Sequence, residues 1–251
     1  MINEVKKILN ESNDSVIIMD FDYTLTDYSS YSSIGVFKNY LSEEYIKAKK
    51  VIDNKIDSLL SENNTNITEL WSKKIQLLNK HADLNLVNRI INDDNLILRE
   101  KLISILKLSY KNNVPVYIIS SGCKEIIEQV LIKNNINFKN IHIIANSFLK
   151  PSCKTITPYN KKEFFHEKNQ TYLLFGDQKD DFFIKENAYY FEFFNDDNFR
   201  TISSCNNKKC TYGLCLYKDK ISFYKINIKF FKNRKKTFLI ISKNVKFNFL
   251  S

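Results

Sequence analysis

The sequence predicts an α/β fold in which a doubly wound parallel-sheet core carries an inserted α-helical cap and a basic, β-leaning C-terminal extension. Two observations support this. Short apolar runs that end in polar residues recur along residues 14–190, with segments of helical spacing between them. A long segment without such runs follows the first one. We therefore expect a core formed by residues 1–30 and 106–200, a helical cap formed by residues 31–105, and an extension formed by residues 201–251.

The predicted strands are short runs that are mainly apolar, at Val16–Met19, Val114–Ile119, Ile141–Ile144 and Tyr172–Phe175. The first two are unbroken, which is typical of parallel strands that are buried on both faces. A helical pattern lies between the second and the third, at residues 123–135. Because the carboxyl ends of parallel strands meet at one edge of a sheet, we expect a site where these strands end.

The long segment after the first strand is predicted to be helical. Apolar residues recur at near-helical spacing in residues 41–60, 66–81 and 83–92. Residues 93–113 are expected to form a helix that returns to the core. We interpret the inserted helices as a lid over the strand ends, and extra helices packed at the sheet edge are the alternative.

The basic charge is concentrated in the C-terminal extension. The chain has a net charge of +10, and residues 201–251 hold twelve Lys or Arg residues and one acid, Asp219. The preceding 200 residues are nearly neutral, with 26 bases and 27 acids. Without a nucleic-acid-binding motif, polyanion contact by residues 201–251 is the less favoured function. Their partial alternation of apolar and polar residues favours strands, either in a small added sheet or in a poorly ordered extension.

Composition also indicates the compartment. The N-terminus is polar and charged, unlike a signal peptide, and no apolar run approaches the roughly 18 residues of a membrane-spanning helix. Five cysteines, an odd number, argue against a disulfide framework, and the spacing of Cys205, Cys210 and Cys215 is not typical of a zinc site. We expect a cytoplasmic protein without a transmembrane segment.

Polar residues that bear chemistry follow the predicted strands in order. They are Asp20 and Asp22, then Ser120–Gly122, a lysine between residues 150 and 162, and Asp177–Asp181. Several carboxylates at one sheet edge repel each other and require a cation, and oxygen ligands without His or thiolate favour Mg²⁺. The Ser, Lys and backbone N–H groups are the donors that a phosphoryl group needs. The sequence therefore predicts Mg²⁺ and a small phosphorylated substrate.

The order of these motifs resembles that of haloacid dehalogenase (HAD) superfamily phosphatases with a C1 helical cap. The first motif of that superfamily, D-x-D-x-T after an apolar strand, is DFDYT at residues 20–24. The second is IISSG at residues 118–122, and the fourth is GDQKDD at residues 176–181. The resemblance implies a Rossmannoid core and a Mg²⁺-dependent phosphomonoesterase that works through an aspartyl-phosphate intermediate.

The resemblance also implies roles for the acidic residues. Asp20 would be the nucleophile, and Asp22 would be the acid and base for the leaving group and the water. Mg²⁺ would be bound by Asp20, the backbone carbonyl of Asp22, and Asp177, with Asp181 as a further ligand or a neighbour of the ligands. Thr24 would orient these groups. The presence of Asp22 favours rapid hydrolysis of the intermediate.

Phosphate binding is implied for the second and third motifs. Ser120 would donate to the phosphoryl oxygens, together with the N–H groups of Ser121 and Gly122, where a helix is expected to begin. The third motif is a lysine, for which we choose Lys161 because Asn160–Lys161 is expected to follow a hairpin. The alternatives are Lys150, Lys154 and Lys162.

The nearest likeness is to the cytosolic pyrimidine 5′-nucleotidase (type III) and phosphoserine-phosphatase branches. The cap segment ITELWSKK, residues 67–74, resembles the Glu-Trp helix of the nucleotidases, whereas residues 27–40 depart from their pattern. The implied substrate is a small phosphorylated metabolite, with a nucleoside 5′-monophosphate as one candidate. Phosphoserine or another small metabolite, and phosphoryl transfer as in phosphomutases, are alternatives. Tyr28, Tyr31 and Trp71 would either stack on a base or pack the helices.

Overall fold

The computed structural model describes residues 1–193, except 13, 94–95, 153 and 185, and the backbone of three strands beyond them. The α-helices are α1 (Ile2–Glu11), α2 (Glu43–Ser61), α3 (Thr68–His81), α4 (Leu84–Asn92), α5 (Glu100–Lys111) and α6 (Lys124–Lys133). The strands are β1 (Ser15–Met19), β2 (Val116–Cys123), β3 (Ile141–Asn146), β4 (Thr171–Gly176), β5 (Ala188–Phe193), β6 (Phe199–Ser203), β7 (Tyr212–Tyr217) and β8 (Lys220–Lys225).

The strands form one sheet in the order β3-β2-β1-β4-β5-β6-β7-β8. The first five are parallel, so their carboxyl ends lie at one edge, as predicted. Strands β6 to β8 pair antiparallel and continue the same sheet. The part of the extension whose backbone the structure describes therefore consists of strands. The side chains of residues 201–251, with their basic charges and Cys205, Cys210 and Cys215, lie outside the described part, as does Cys153.

Strand β1 shows why its apolar run is unbroken. Ile17 and Met19 belong to the larger core cluster, and Val16 and Ile18 belong to a second cluster on the opposite face. Helices α1, α5 and α6 contribute to the larger cluster. Aromatic and aliphatic residues of the connecting segments pack against the second one. Because both faces are buried, all four side chains are excluded from water and the strand is anchored in the centre of the sheet.

Helices α2, α3 and α4 form the insertion that was predicted after β1. Two of them begin at side-chain caps, with Ser42 accepting a hydrogen bond from the N–H of Tyr45 and Asp83 accepting one from Leu86. Helix α5 contacts α1 and runs across the expected boundary between residues 105 and 106. The division of the chain into core and cap stays a prediction.

Two antiparallel connections join the insertion to the rest of the chain. Thr26 and Leu98 form an isolated bridge, the N–H of Asp27 donates to the carbonyl of Ile97 at 2.9 Å, and the N–H of Arg99 donates to the carbonyl of Leu25 at 2.9 Å. These hydrogen bonds satisfy buried backbone groups and hold the two connections side by side. The first connection leaves the sheet at the end of β1, where Asp20 and Asp22 lie, and the second leads into α5.

Candidate active site

Asp20 lies directly after β1, and its backbone N–H donates to the carbonyl of Phe175 on β4 at 2.9 Å. The chain then turns sharply over Phe21–Leu25, where Tyr23 adopts a left-handed conformation with φ 61°. The N–H of Tyr23 donates to the hydroxyl of Thr26 at 2.9 Å, which stabilises this uncommon backbone. The turn gives the side chains of Asp20 and Asp22 different surroundings.

Three carboxylates converge at this edge of the sheet. Asp20, Asp177 and Asp181 each offer one oxygen, and these oxygens lie within 4.8 Å of one another. Asp181 accepts hydrogen bonds from the N–H groups of Asp177 at 3.2 Å and Gln178 at 3.0 Å. A Cβ atom on Gly176 would lie 2.3 Å from the Cβ of Asp181, so the glycine is required for this close approach.

Lys161 bridges two of these carboxylates. Its Nζ donates to Oδ1 of Asp20 at 2.6 Å and to Oδ1 of Asp181 at 2.5 Å, and the lysine is 5% exposed. It begins a single turn of 3₁₀-helix, Lys161–Phe164. The turn before it is closed by Asn160, whose Oδ1 accepts the N–H of Thr157 at 2.7 Å. The three alternative lysines, Lys150, Lys154 and Lys162, are exposed.

The electrostatics of this cluster favour a bound cation. Burial, followed by the charges of Asp181, Asp177 and Asp22, raises the pKa of Asp20 well above its usual range, although Lys161 opposes the shift. Burial, followed by the charge of Asp181, raises the pKa of Asp177 to about 6. Burial lowers the pKa of Lys161, but Asp20 and Asp181 outweigh it, so the net shift is upward. When all three are ionised, the carboxylates carry more negative charge than one lysine offsets.

Asp22 lies outside this cluster and is held by Ser33. The N–H of Ser33 donates to Oδ1 of Asp22 at 2.7 Å, and its hydroxyl donates to Oδ2 at 2.9 Å. Burial raises the pKa of Asp22 to about 6, against the opposing effect of the hydrogen bonds from Ser33. A carboxyl group of this kind can exchange a proton near neutral pH.

The second motif, at the end of β2, lies beside the carboxyl group of Asp22. The N–H of Gly122 donates to the hydroxyl of Ser120 at 3.0 Å. A Cβ atom on Gly122 would lie 3.0 Å from that hydroxyl and 2.9 Å from Oδ2 of Asp22, so Ser120 and Asp22 approach the glycine closely. The carbonyl of Ser121 accepts hydrogen bonds from Nε1 of Trp71 at 3.0 Å and from Asn146 at 2.8 Å.

The helix expected at Ser121–Gly122 begins later. Strand β2 continues to Cys123, with a shift of register between Ser120 and Cys123, and α6 begins at Lys124. Ser120 and Cys123 pair with β3, and Ser121 and Gly122 lie in the register shift between them, so the expectation of a helix start at Ser121–Gly122 was wrong. The second motif is a bulged strand end.

Thr24 and Arg99 make hydrogen bonds that hold the first motif in place. The hydroxyl of Thr24 donates to Oδ1 of Asp177 at 3.3 Å, which ties the first motif to the fourth. Arg99 is buried and donates to the carbonyls of Thr24 at 3.0 Å and Tyr23 at 3.3 Å. Sequence reasoning missed Arg99, because an arginine that binds backbone carbonyls belongs to no side-chain motif.

A family model described as Pyrimidine 5′-nucleotidase (UMPH-1) matches residues 23–186, which are 164 of the 251 residues. The chain belongs to this family. The matched range contains Ser120, Lys161 and Asp177, and it begins at Tyr23, directly after Asp22.

The relatives of this nucleotidase-family chain include curated proteins. The human 7-methylguanosine phosphate-specific 5′-nucleotidase is 27% identical in an alignment of 146 positions that covers 52% of this chain and 48% of the relative. The mouse protein of the same name is 28% identical in an alignment of 116 positions that covers 43% of this chain and 38% of the relative. The matched part thus spans about half or less of the length of these relatives.

Solved structures show the same fold. Cytosolic 5′-nucleotidase IIIB bound to cytidine has a TM-score of 0.58 at 19% identity and covers 74% of each chain. A HAD family hydrolase from Salmonella enterica has a TM-score of 0.50 at 13% identity, and the match covers 74% of this chain and 68% of the hydrolase chain. The HAD fold predicted from the sequence is therefore confirmed.

A cavity of about 400 Å³ lies next to the fourth motif of this nucleotidase-family chain. It is lined by residues of α2 and α3, by the loop before Lys161, and by Gln178, the neighbour of Asp177. Trp71 lines it too, and Nζ of Lys74 lies 4.6 Å from the centre of its ring. Residues of the insertion and of the loop before Lys161 thus line an open cavity that reaches the fourth motif at Gln178.

The other two aromatic candidates lie elsewhere. Tyr28 stacks on Tyr23, with ring centres 5.7 Å apart, and donates to the carbonyl of Phe193. Tyr31 is 37% exposed and lies beneath Nζ of Lys38. Packing therefore accounts for Tyr28, and of the three aromatic residues Trp71 is the one that lines the cavity.

Within the part of the chain that the structure describes, no helix has the length and apolar character needed to cross a bilayer. The cytoplasmic location stays a prediction.

Proposed function

We propose that this chain is a Mg²⁺-dependent phosphomonoesterase that hydrolyses a nucleoside 5′-monophosphate through an aspartyl-phosphate on Asp20. One observation carries the proposal: Asp20, Asp177 and Asp181 converge around Lys161, next to Ser120 at the neighbouring strand end. A nucleophile, a cation site and phosphate donors are thus available at one edge of a parallel sheet. Membership in the nucleotidase family supports the same reaction.

The donor set agrees with Mg²⁺. The converging ligand atoms are carboxylate oxygens, which this hard cation prefers. Asp20 and Asp177 would bind it together with the backbone carbonyl of Asp22, and Asp181 would be a further ligand or would orient Asp177. When bound, Mg²⁺ neutralises charge on the phosphoryl oxygens and on the attacking carboxylate.

In the first half of the reaction, an oxygen of Asp20 attacks phosphorus and the bond to the leaving oxygen breaks. Asp22 transfers its proton to that oxygen, so the nucleoside leaves as an alcohol. Lys161 and Ser120, with N–H groups of the second motif, donate to the phosphoryl oxygens, where negative charge is concentrated. These contacts orient the phosphoryl group for in-line attack.

In the second half, water attacks the phosphorus of the aspartyl-phosphate. Asp22, now a carboxylate, accepts a proton from this water, and inorganic phosphate and the Asp20 carboxylate are released. Asp22 returns to its protonated form, so the cycle closes with every proton accounted for. Thr24 and Arg99 hold the turn that carries both aspartates.

The cavity supports a nucleotide as the substrate. Its volume of about 400 Å³ is within the range of small-ligand sites, and it is lined by Gln178, the neighbour of Asp177 in the acidic cluster. Trp71 offers an aromatic face for a base. The curated relatives are named for a 7-methylguanosine phosphate, and one structural neighbour is bound to cytidine. We therefore place the phosphate at Asp20 and the nucleoside in this cavity.

We also propose that residues 31–105 act as a cap over the core formed by residues 1–30 and 106–200. The hydrogen bond from Trp71 of α3 to Ser121, beside the strand ends, supports this division. A cap in this position would exclude water while the first half of the reaction proceeds.

A substrate panel with matched variants tests the proposal. Wild type should release inorganic phosphate from nucleoside monophosphates when Mg²⁺ is present and lose this activity in excess chelator. Asp20→Asn should lower kcat by at least about 10³-fold, because the nucleophile is absent. Asp180→Asn, at an exposed position of the same fold, is the control and should keep wild-type activity. Phosphate release that survives in Asp20→Asn would contradict the mechanism, and transfer products without inorganic phosphate would indicate a phosphotransferase.

A further inference from the structure

Ser33 lies on the connection that leads from the first motif into the insertion, and it is fully buried. It contacts both oxygens of the Asp22 carboxylate, through its N–H at 2.7 Å and its hydroxyl at 2.9 Å. The same hydroxyl accepts the N–H of Cys123 at 3.1 Å, directly after the second motif. One serine therefore joins the connection, the first motif and the end of the second motif.

The space around Ser33 is closely filled. Its hydroxyl oxygen lies 2.0 Å from the position that a Cβ atom on Gly122 would occupy, so it packs against the backbone of the second motif. Three and four residues after Ser33, Val36 and Phe37 are fully buried, and the ring of Phe37 contacts that of Phe148 at 6.0 Å between centres. Ser33 is thus held from both sides, and its position is determined by the insertion and the core together.

This arrangement determines the orientation of a carboxyl group. A single hydrogen bond to one oxygen of Asp22 would leave the plane of the carboxyl group free to rotate. The two hydrogen bonds from Ser33, one to each oxygen, fix that plane. Proton transfer depends on the direction of the carboxyl group, and a misplacement of about 1 Å is sufficient to lower a rate about 10²-fold.

We infer that Ser33 is a positioning residue, which orients the carboxyl group of Asp22 towards the leaving oxygen of the substrate. The inference rests on the proposed function, in which Asp22 protonates the leaving group. Because Ser33 belongs to the connection between core and insertion, a change in the position of the insertion would also change the orientation of the Asp22 carboxyl group. Protonation of the leaving group is thereby linked to the position of the proposed cap.

Leaving-group dependence tests the inference. A nucleoside leaves as a poor alkoxide unless it is protonated, whereas a nitrophenol leaves readily without a proton. The value of kcat/KM covers the step in which the leaving group departs, so it reports on this proton transfer. Ser33→Ala keeps the backbone N–H but removes the hydroxyl. It should lower kcat/KM for a nucleoside monophosphate about 10- to 100-fold and for p-nitrophenyl phosphate by about twofold or less.

Ser30→Ala is the matched control. Ser30 is buried on the same connection, but its hydroxyl bonds to Asp27 and to the backbone of Ile97 and not to Asp22. This variant should change kcat/KM for both substrates by the same factor. If Ser33→Ala does not fold, Ser33→Cys, which replaces the hydroxyl by a somewhat larger thiol that is a weaker donor, is measured with the same pair of substrates.

Equal losses on both substrates in the Ser33 variant, or no loss on either, would overturn the inference and assign Ser33 a structural role. Failure of the proposed function gives a different result, since wild type would then release no phosphate or Asp20→Asn would remain active.

Discussion

Replacement of Lys161 by methionine removes a positive charge from the centre of the acidic cluster while it keeps a side chain of similar length. Lys161 makes two ion pairs, at 2.6 Å to Asp20 and at 2.5 Å to Asp181, and the three side chains are 4–8% exposed. Solvent therefore screens these pairs very little. Removal of one partner from a buried ion pair costs about 3–5 kcal/mol. The carboxylates can take up a proton in response, so we expect the low end, about 3 kcal/mol.

The assay is urea denaturation at pH 7.5 with chelator present. The pKa of Lys161 is raised in the folded state. The contribution of Lys161 to stability is therefore complete at any pH below the ordinary lysine pKa, and it is lost only as the pH rises through the raised pKa. At pH 7.5 Lys161→Met should therefore lose the full amount of free energy of unfolding given above, which is measured as a fall of about 1 M in the urea midpoint.

Lys162→Met is the control, because Lys162 follows directly in the chain and is exposed. Its free energy of unfolding should stay within about 0.5 kcal/mol of wild type. A loss of less than about 1 kcal/mol in Lys161→Met, or equal losses in both variants, would refute the assignment of Lys161 as the buried counter-ion of the cluster.

Two further predictions test the surroundings of the site. Gly176→Ala would place a Cβ atom 2.3 Å from the Cβ of Asp181, so we expect a loss of about 1–3 kcal/mol and a much smaller rise of Tm on addition of Mg²⁺ than in wild type. A wild-type response to Mg²⁺ in thermal denaturation would contradict this. Trp71→Phe removes the donor to the carbonyl of Ser121 but keeps an aromatic ring, and should lower the free energy of unfolding by about 0.5–1 kcal/mol in urea. Unchanged stability would show that this hydrogen bond contributes nothing.

Much of the fold could be predicted because burial on both faces produces a simple pattern. The apolar runs at β1 and β4 are unbroken and buried, since neither face meets water. The run at β3, the edge strand, is half-buried and contains the exposed His142. Strand β5 was not predicted: its sequence, AYYFEF, includes half-buried aromatic positions. Helix α1 was also missed, because the polar character of the N-terminus concealed the two apolar side chains that it buries.

The site was predictable where chemistry imposes a motif, and less so where geometry selects between neighbours. Lys161 and Lys162 are adjacent and chemically identical, and the direction of one 3₁₀ turn determines which is buried. The same holds for the exposed Asp180 and the buried Asp181.

The contribution of Ser33 could not be read from the sequence. It is one of several serines in the segment DYSSYSSIG, and no spacing rule distinguishes the serine that faces Asp22 from those that face the connections. That distinction depends on contacts with Gly122 and Cys123, which are about 90 residues away in the chain. Such long-range contacts are determined by the packed fold and not by local pattern.

The central claim is that Asp20 carries the phosphoryl group, and an acid-quench experiment tests it most directly. In Asp22→Asn the base that activates water is absent, and an aryl phosphate needs no proton to leave, so the aspartyl-phosphate should accumulate. Mass spectrometry of the quenched protein should then find one phosphoryl group on the peptide that contains Asp20. Release of the aryl alcohol with no phosphoryl group on the protein, or with the group on another residue, would contradict the account.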